Sequence, residues 1–188
     1  MLKRANKADT SPHLVSVRHP SARVLVVDDH PDAARLLAKL IRGEGYEVAE
    51  ICDHHAAVTL LTAETHPVDA VVASFTTTGT RASLRLLDSL RTHPESTVNG
   101  LRVLLISDQP RQQIFSLQAG ADAVLTRPYR SEELLEHLAA MLARPESQRA
   151  PYRRAMIDQL KNAMSHPFDP PGHAADEMSA AEQVGRVG

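Results

Sequence analysis

The chain has 188 residues, 43% hydrophobic and 23% charged, with a formal net charge of −2 at pH 7. That length suits one α/β domain with tails, and the composition sits near the globular average, which excludes wholesale disorder and fibrous architectures. A balance this close to neutral lacks the basic face of a dedicated nucleic-acid binder, and no apolar run approaches the about 20 residues of a membrane helix; neither nucleic acid nor a membrane is expected as a partner.

Residues 1–22 carry Lys3, Arg4, Lys7 and Arg18 against Asp9, with Pro12 and Pro20 and no apolar period. They read as a disordered basic arm. The start has no apolar stretch of the kind a secretory signal requires, so a cytoplasmic location is expected. From Arg23 to about Arg144, short β-branched runs alternate with amphipathic stretches, the pattern of βαβ units on a parallel sheet.

The first run, 23–29, is continuously apolar and ends in Asp28 and Asp29, as a central strand covered on both faces would. Pro31 opens a helix whose Leu36, Leu37, Leu40 and Ile41 are expected to face the core. A second strand over 46–51 and a helix over 56–65 follow, with the single Cys52 read as a small buried apolar residue. The third strand spans 68–74. A threonine-rich loop, 75–80, precedes a helix near 81–90. The fourth strand covers 101–107, and Pro110 opens the next helix, which ends near Gly120. The fifth strand spans 121–126. The last helix of the domain, 131–143, has Glu132 and Glu133 in its first turn, where the helix dipole favours anions.

Residues 145–188 form a tail rich in proline. Within it Tyr152, Met156, Leu160 and Met164 recur at spacing four, predicting a short amphipathic helix over about 152–164. Docking on its own domain, pairing with a partner or a second copy, and lying on a membrane surface are all open to such a helix. Residues 165–188 are expected to be disordered.

In an open parallel sheet, functional residues gather at the carboxyl ends of the strands. Those ends carry Asp28 and Asp29, Ser74, Ser107 and Asp108, then Thr126-Arg127-Pro128. Together with Val-Leu-Val-Val-Asp-Asp-His-Pro-Asp (24–32), Gly-Tyr-Glu-Val (45–48), Ala-Gly-Ala-Asp-Ala-Val-Leu (119–125) and Thr-Arg-Pro-Tyr (126–129), they give the stretch 23–144 a resemblance to the receiver domain of bacterial response regulators. The resemblance implies a flavodoxin-like (βα)5 fold with a doubly wound five-stranded parallel sheet. It also implies a site built of an acidic pair holding Mg²⁺, an Asp that accepts a phosphoryl group from a histidine kinase, a hydroxyl residue and a Lys.

Carried over position by position, Asp28 and Asp29 match the acidic pair and Ser107 the hydroxyl. The phosphoacceptor position falls on Ser74 and the lysine position on Arg127, so two of the family's features are replaced. A serine hydroxyl is a weak nucleophile without an activating base. Its presence also removes an anionic metal ligand, which leaves Asp28 and Asp29 with weak Mg²⁺ binding at best. Asp69 cannot stand in, lying roughly 16 Å away at the other end of the strand. Asp108 is a possible pocket acid. Arg127 is expected to pair with Asp28 or Asp29 through its planar fork. The aromatic residue that the family often places three positions before the lysine is Val124 here. His30, His54 and His55 do not read as metal ligands.

The resulting expectation is an atypical, stand-alone receiver that is not an enzyme. It would act by protein–protein contact without Asp phosphorylation, through a face formed by the helix after Pro110, the fifth strand and the helix from Ser131. That face includes Arg111, Gln112, Arg130 and Glu132. A histidine kinase, another regulator or a second copy are the partners this implies. The alternative is a receiver whose altered pocket still senses a phosphoryl group or a small anionic ligand.

Overall fold

The computed structural model describes residues 22–63, 68–74 and 79–165, with the side chains of Gly79 and Thr80 left aside. The basic arm up to residue 21, the threonine run at 75–78 and the stretch after Ser165 lie outside the described residues. In chain order the elements are β1 Arg23–Asp28, α1 Pro31–Gly43, β2 Glu47–Ile51, α2 His54–Thr62, β3 Ala70–Ser74 and α3 Gly79–Arg91. They continue as α4 Ser96–Asn99, β4 Arg102–Ser107, α5 Arg111–Gln118, β5 Ala123–Thr126, α6 Ser131–Ala143 and α7 Glu146–Ser165.

The five strands form one parallel sheet in the order β2-β1-β3-β4-β5, the doubly wound, flavodoxin-like arrangement. Its side chains alternate between two apolar cores. Leu25, Val27, Val71, Ala73, Val103 and Leu105 point to the α2/α3 side, and Val24, Val26, Val72, Leu104, Ile106 and Leu125 to the α1/α6 side. This two-sided burial is why β1, β3 and β4 read as unbroken apolar runs rather than alternating ones. Where β1 reverses to β3, the strand ends converge at one edge of the sheet, with Asp28 in register with Ser74.

Several boundaries differ from the sequence reading, each for a local reason. In α1 the buried stripe is Ala34, Leu37, Ala38 and Ile41, a clean i, i+3, i+4, i+7 set. Leu36 falls off that stripe and is 71% exposed. Cys52 is also exposed, because it follows the end of β2, the edge strand. Helix α2 starts at His54, two residues earlier than expected, since Asp53 caps it by accepting the Ala56 N–H at 2.7 Å. Strand β3 begins at Ala70 rather than Val68, and Pro110 is the residue before α5 rather than its first. The short α4, unforeseen in the sequence, fills the connection from α3 to β4. Strand β5 begins at Ala123 because Asp122 is committed elsewhere: its N–H bonds Val103 O at 2.8 Å and its carboxylate turns into the interior.

The largest difference is α7. It begins at Glu146, after an extended Arg144 and Pro145, and runs through Pro151 to Ser165. Proline inside a helix removes one backbone bond, and the expected boundary near 152 rested on the spacing-four apolar residues, which begin only at Tyr152. Of the three roles open to this helix, the structure shows docking on its own domain: α7 packs on α5, and Arg149 enters the protein to reach Asp122.

Candidate functional site

The chain turns directly out of β1 into α1. Asp28, buried at the end of β1, accepts the His30 N–H through Oδ1 at 2.8 Å, which fixes the turn before Pro31. Ser74 is buried at the end of β3, between Asp28 on β1 and Ile106 on β4. Ser107 ends β4 in register with Thr126 of β5. Beyond Thr126, the Arg127 N–H bonds Ser107 O at 2.8 Å, which ties the β5 exit to β4. The Arg127–Pro128 peptide is cis.

Arg127 reaches from the β5 exit to both the β3 and the β4 strand ends. One Arg127 nitrogen, Nη1, donates to Asp108 Oδ1 at 2.7 Å, and Nη2 donates to the Ser74 hydroxyl. This corrects the expected pairing of Arg127 with Asp28 or Asp29: Asp108, leaving β4 on the adjacent loop, takes the guanidinium. Arg127 thereby spans the positions of the acceptor and the pocket acid. Ser107 turns away from it. Its hydroxyl donates to Gln112 Oε1 at 2.6 Å and accepts the Gln109 N–H at 3.2 Å, holding the start of α5. Nearby, burial raises the Tyr129 phenol above its usual range, with Arg127 opposing the shift and Asp28 adding to it. Asp69 lies at the far end of β3, where it accepts the Arg23 N–H at 2.7 Å, as the strand length requires.

The residues that would hold a Mg²⁺ here are Asp28 and Asp29, which end β1 and begin the turn after it. Ser74 adds no anionic ligand to them, and its hydroxyl accepts a hydrogen bond from the cationic Arg127.

A family model for the response regulator receiver domain matches residues 24–139. The chain belongs to this family. As a receiver it is 30% identical over 128 residues to the DNA-binding response regulator MtrA of Mycolicibacterium smegmatis, covering 68% of this chain and 54% of MtrA. It is 33% identical over 123 residues to the probable transcriptional regulatory protein TcrX of Mycobacterium tuberculosis, covering 64% and 50%. The chain thus spans about half the length of the curated relatives it matches. Among solved structures, a putative response regulator from Chloroflexus aurantiacus superposes with a TM-score of 0.56 at 24% identity, covering 66% of this chain and 99% of that one. The chemotaxis response regulator CheY4 of Vibrio cholerae does so at 0.55 and 21%, covering 64% and 98%. Both share the fold.

Receivers are signalling modules of two-component systems, and the face expected to carry signals lies on α5, β5 and α6 of this one. There Arg111 is exposed, and Arg130 meets Glu132 in an exposed ion pair at 3.5 Å. Gln112 is half-buried and accepts the Ser107 hydroxyl through Oε1 at 2.6 Å, which links that face to the end of β4. No helix among the described residues is long and apolar enough to cross a membrane.

Sequence reasoning missed Asp122. It stood inside the string Ala-Gly-Ala-Asp-Ala-Val-Leu and was read only as part of the family pattern. The structure buries it under Arg91, Arg149 and Arg153. The available signal was an acid in an apolar run, which must find partners when buried.

Proposed function

We propose that this receiver signals by protein–protein contact without phosphorylation of an acceptor aspartate, its pocket occupied by its own Arg127. The observation that carries this reading is the Arg127 guanidinium bridging the Ser74 hydroxyl and Asp108. A phosphorylation switch shifts a two-state equilibrium only if the added group interacts differently with the two states. Here the nucleophile is a hydroxyl that accepts a hydrogen bond from a cation, and among the described residues no base is hydrogen-bonded to it to remove its proton. The usual lysine is an arginine already satisfied by Asp108, and Val124 stands where an aromatic reporter would sit. The partner, a histidine kinase, another regulator or a second copy of the chain, reads the α5–β5–α6 face without a phosphorylation-driven change in it.

Incubation with acetyl phosphate and Mg²⁺, followed by intact-mass measurement, tests this directly. The expected result is no added phosphoryl group. A phosphoserine at residue 74 would overturn the reading in favour of a working sensor. A pull-down with charge reversal at Arg111 or Arg130 tests the surface: binding should weaken, whereas Ser74→Ala should leave it unchanged.

A further inference from the structure

Helix α7 is held to the receiver by charge more than by apolar packing. Its buried residue is Arg149. Arg149 Nε and Nη2 reach the two Asp122 oxygens at 2.9 and 2.7 Å, and Nη1 and Nη2 reach the carbonyls of Gly100 and Leu101 at 2.6 and 3.1 Å. One turn on, Arg153 Nη1 adds a contact to Asp122 Oδ1 at 2.8 Å. Farther along, Tyr152, Met156 and Leu160 are only half-buried. They face Leu117, Val124 and Leu125 across a cavity of about 220 Å³ between α5, β5, α6 and α7. The helix is anchored at its beginning and covers, without filling, a partly apolar strip of the domain that Gln113, Thr126, Glu133 and His137 also line.

The anchor is also detachable. Asp122 keeps the Arg91 guanidinium of α3 at 3.2 Å and the Val103 N–H at 3.0 Å, and neither depends on α7. Departure of Arg149 and Arg153 therefore leaves a paired carboxylate instead of a bare buried charge, the outcome that makes most buried ion pairs costly to open.

We propose that α7 is an internal strap over the α5–β5–α6 face and competes there with a partner's amphipathic helix. The chemistry of that partner is set by what α7 now supplies: apolar residues at spacing four for the strip, and a cationic group for Asp122. This inference rests on the reading of that face as the partner surface. Tethering gives α7 an effective concentration in the mM range, so a free helix of equal intrinsic affinity is excluded until the strap is loosened. Access to the face is thus controlled by the tail instead of by the pocket.

A fluorescent synthetic peptide of residues 146–165 serves as the probe, titrated by anisotropy against the full chain and its Arg149→Gln/Arg153→Gln variant. The variant should bind the peptide at least tenfold more tightly than the unaltered chain, and adding Asp122→Asn should remove the gain. Hydrogen exchange should quicken in α7 and stay unchanged in β1 to β5, which verifies the fold. Equal binding to the two chains, with α7 released, overturns the strap. If the double variant does not fold, Leu160→Asp replaces it, and unchanged α7 exchange in that variant overturns the proposal as well. No partner takes part in these measurements, so a strap that fails here leaves the partner-surface reading standing. A pull-down insensitive to Arg111 and Arg130 would instead remove that reading and leave the strap.

Discussion

Arg127 and Asp108, nineteen residues apart on the exits of β5 and β4, form an ion pair of 2.7 Å across the mouth of the receiver pocket. Their side chains are 26% and 53% exposed, respectively. Water and salt screen a pair so placed, and its coupling should be below about 1 kcal/mol. A double-mutant cycle with Arg127→Ala and Asp108→Ala, read by urea unfolding, measures it. A larger coupling would mean that the pair holds the two loops together structurally and does not merely fill the pocket.

Two glycines with positive φ separate backbone strain from side-chain collision. Gly45, at φ +92°, has open space where a Cβ would go, whereas at Gly120, φ +104°, a Cβ would stand 2.9 Å from Arg91 Nε. Gly45→Ala should cost about 1 kcal/mol from conformation alone. Gly120→Ala should cost more, because it also pushes away the guanidinium that donates to Gly120 O at 3.0 and 2.8 Å. Thermal unfolding of the two variants gives the ranking, and equal costs would show that Arg91 moves aside freely.

Asp53 provides the pH test. The Ala56 N–H bond to its carboxylate lowers its pKa from 3.8, against a smaller opposing effect of burial, with His54 and His55 helping to lower it. A carboxylate whose pKa is depressed on folding contributes stability above its unfolded pKa and loses it as pH falls through the folded one. The cap on α2 should therefore persist at pH 4 and release below 3.8. An NMR titration of the Ala56 amide shift should have its midpoint under that value, and Asp53→Ala should abolish the titration.

The fold was legible because β1, β3 and β4 carry β-branched and aliphatic runs that only a two-sided sheet buries, and because Pro31 and Glu132–Glu133 mark helix starts by local chemistry. The site was legible as positions: strand ends placed Asp28, Ser74, Ser107 and Arg127 at one edge. Which acid Arg127 takes was not legible. Asp28, Asp29 and Asp108 all follow or end strands at the same edge of the sheet, and the choice depends on where two loops leave it. Asp122 was hidden for a related reason, since Arg91, Arg149 and Arg153 lie 27 to 31 residues away and nothing local pairs them. The early start of α7 was hidden because the spacing-four apolar residues begin only at Tyr152, whereas the contacts that hold its first turns are those of Arg149.

Those contacts make Asp122 a sensitive polar position of the receiver. Three guanidinium groups converge on it, and Arg91 shows the consequence. Burial lowers the Arg91 pKa to about 10, Asp122 offsets part of that shift, and Arg149 and Arg153 add to it. Asp122→Asn removes the one negative charge in the cluster and leaves three cations facing each other, two of them tied to carbonyl oxygens that also need them. Removing one partner of a buried pair costs about 3–5 kcal/mol, and this substitution should fall in that range. Arg153→Ala should cost under about 1 kcal/mol, because that side chain is 24% exposed and water replaces its contact. Arg149→Ala should fall between them, since Arg91 still pairs Asp122 while Gly100 O and Leu101 O lose their donors. Urea unfolding of the three variants gives the order, and an Arg153→Ala loss as large as that of Asp122→Asn would mean that Arg153, and not the buried Arg149, carries the tie between α7 and the carboxylate.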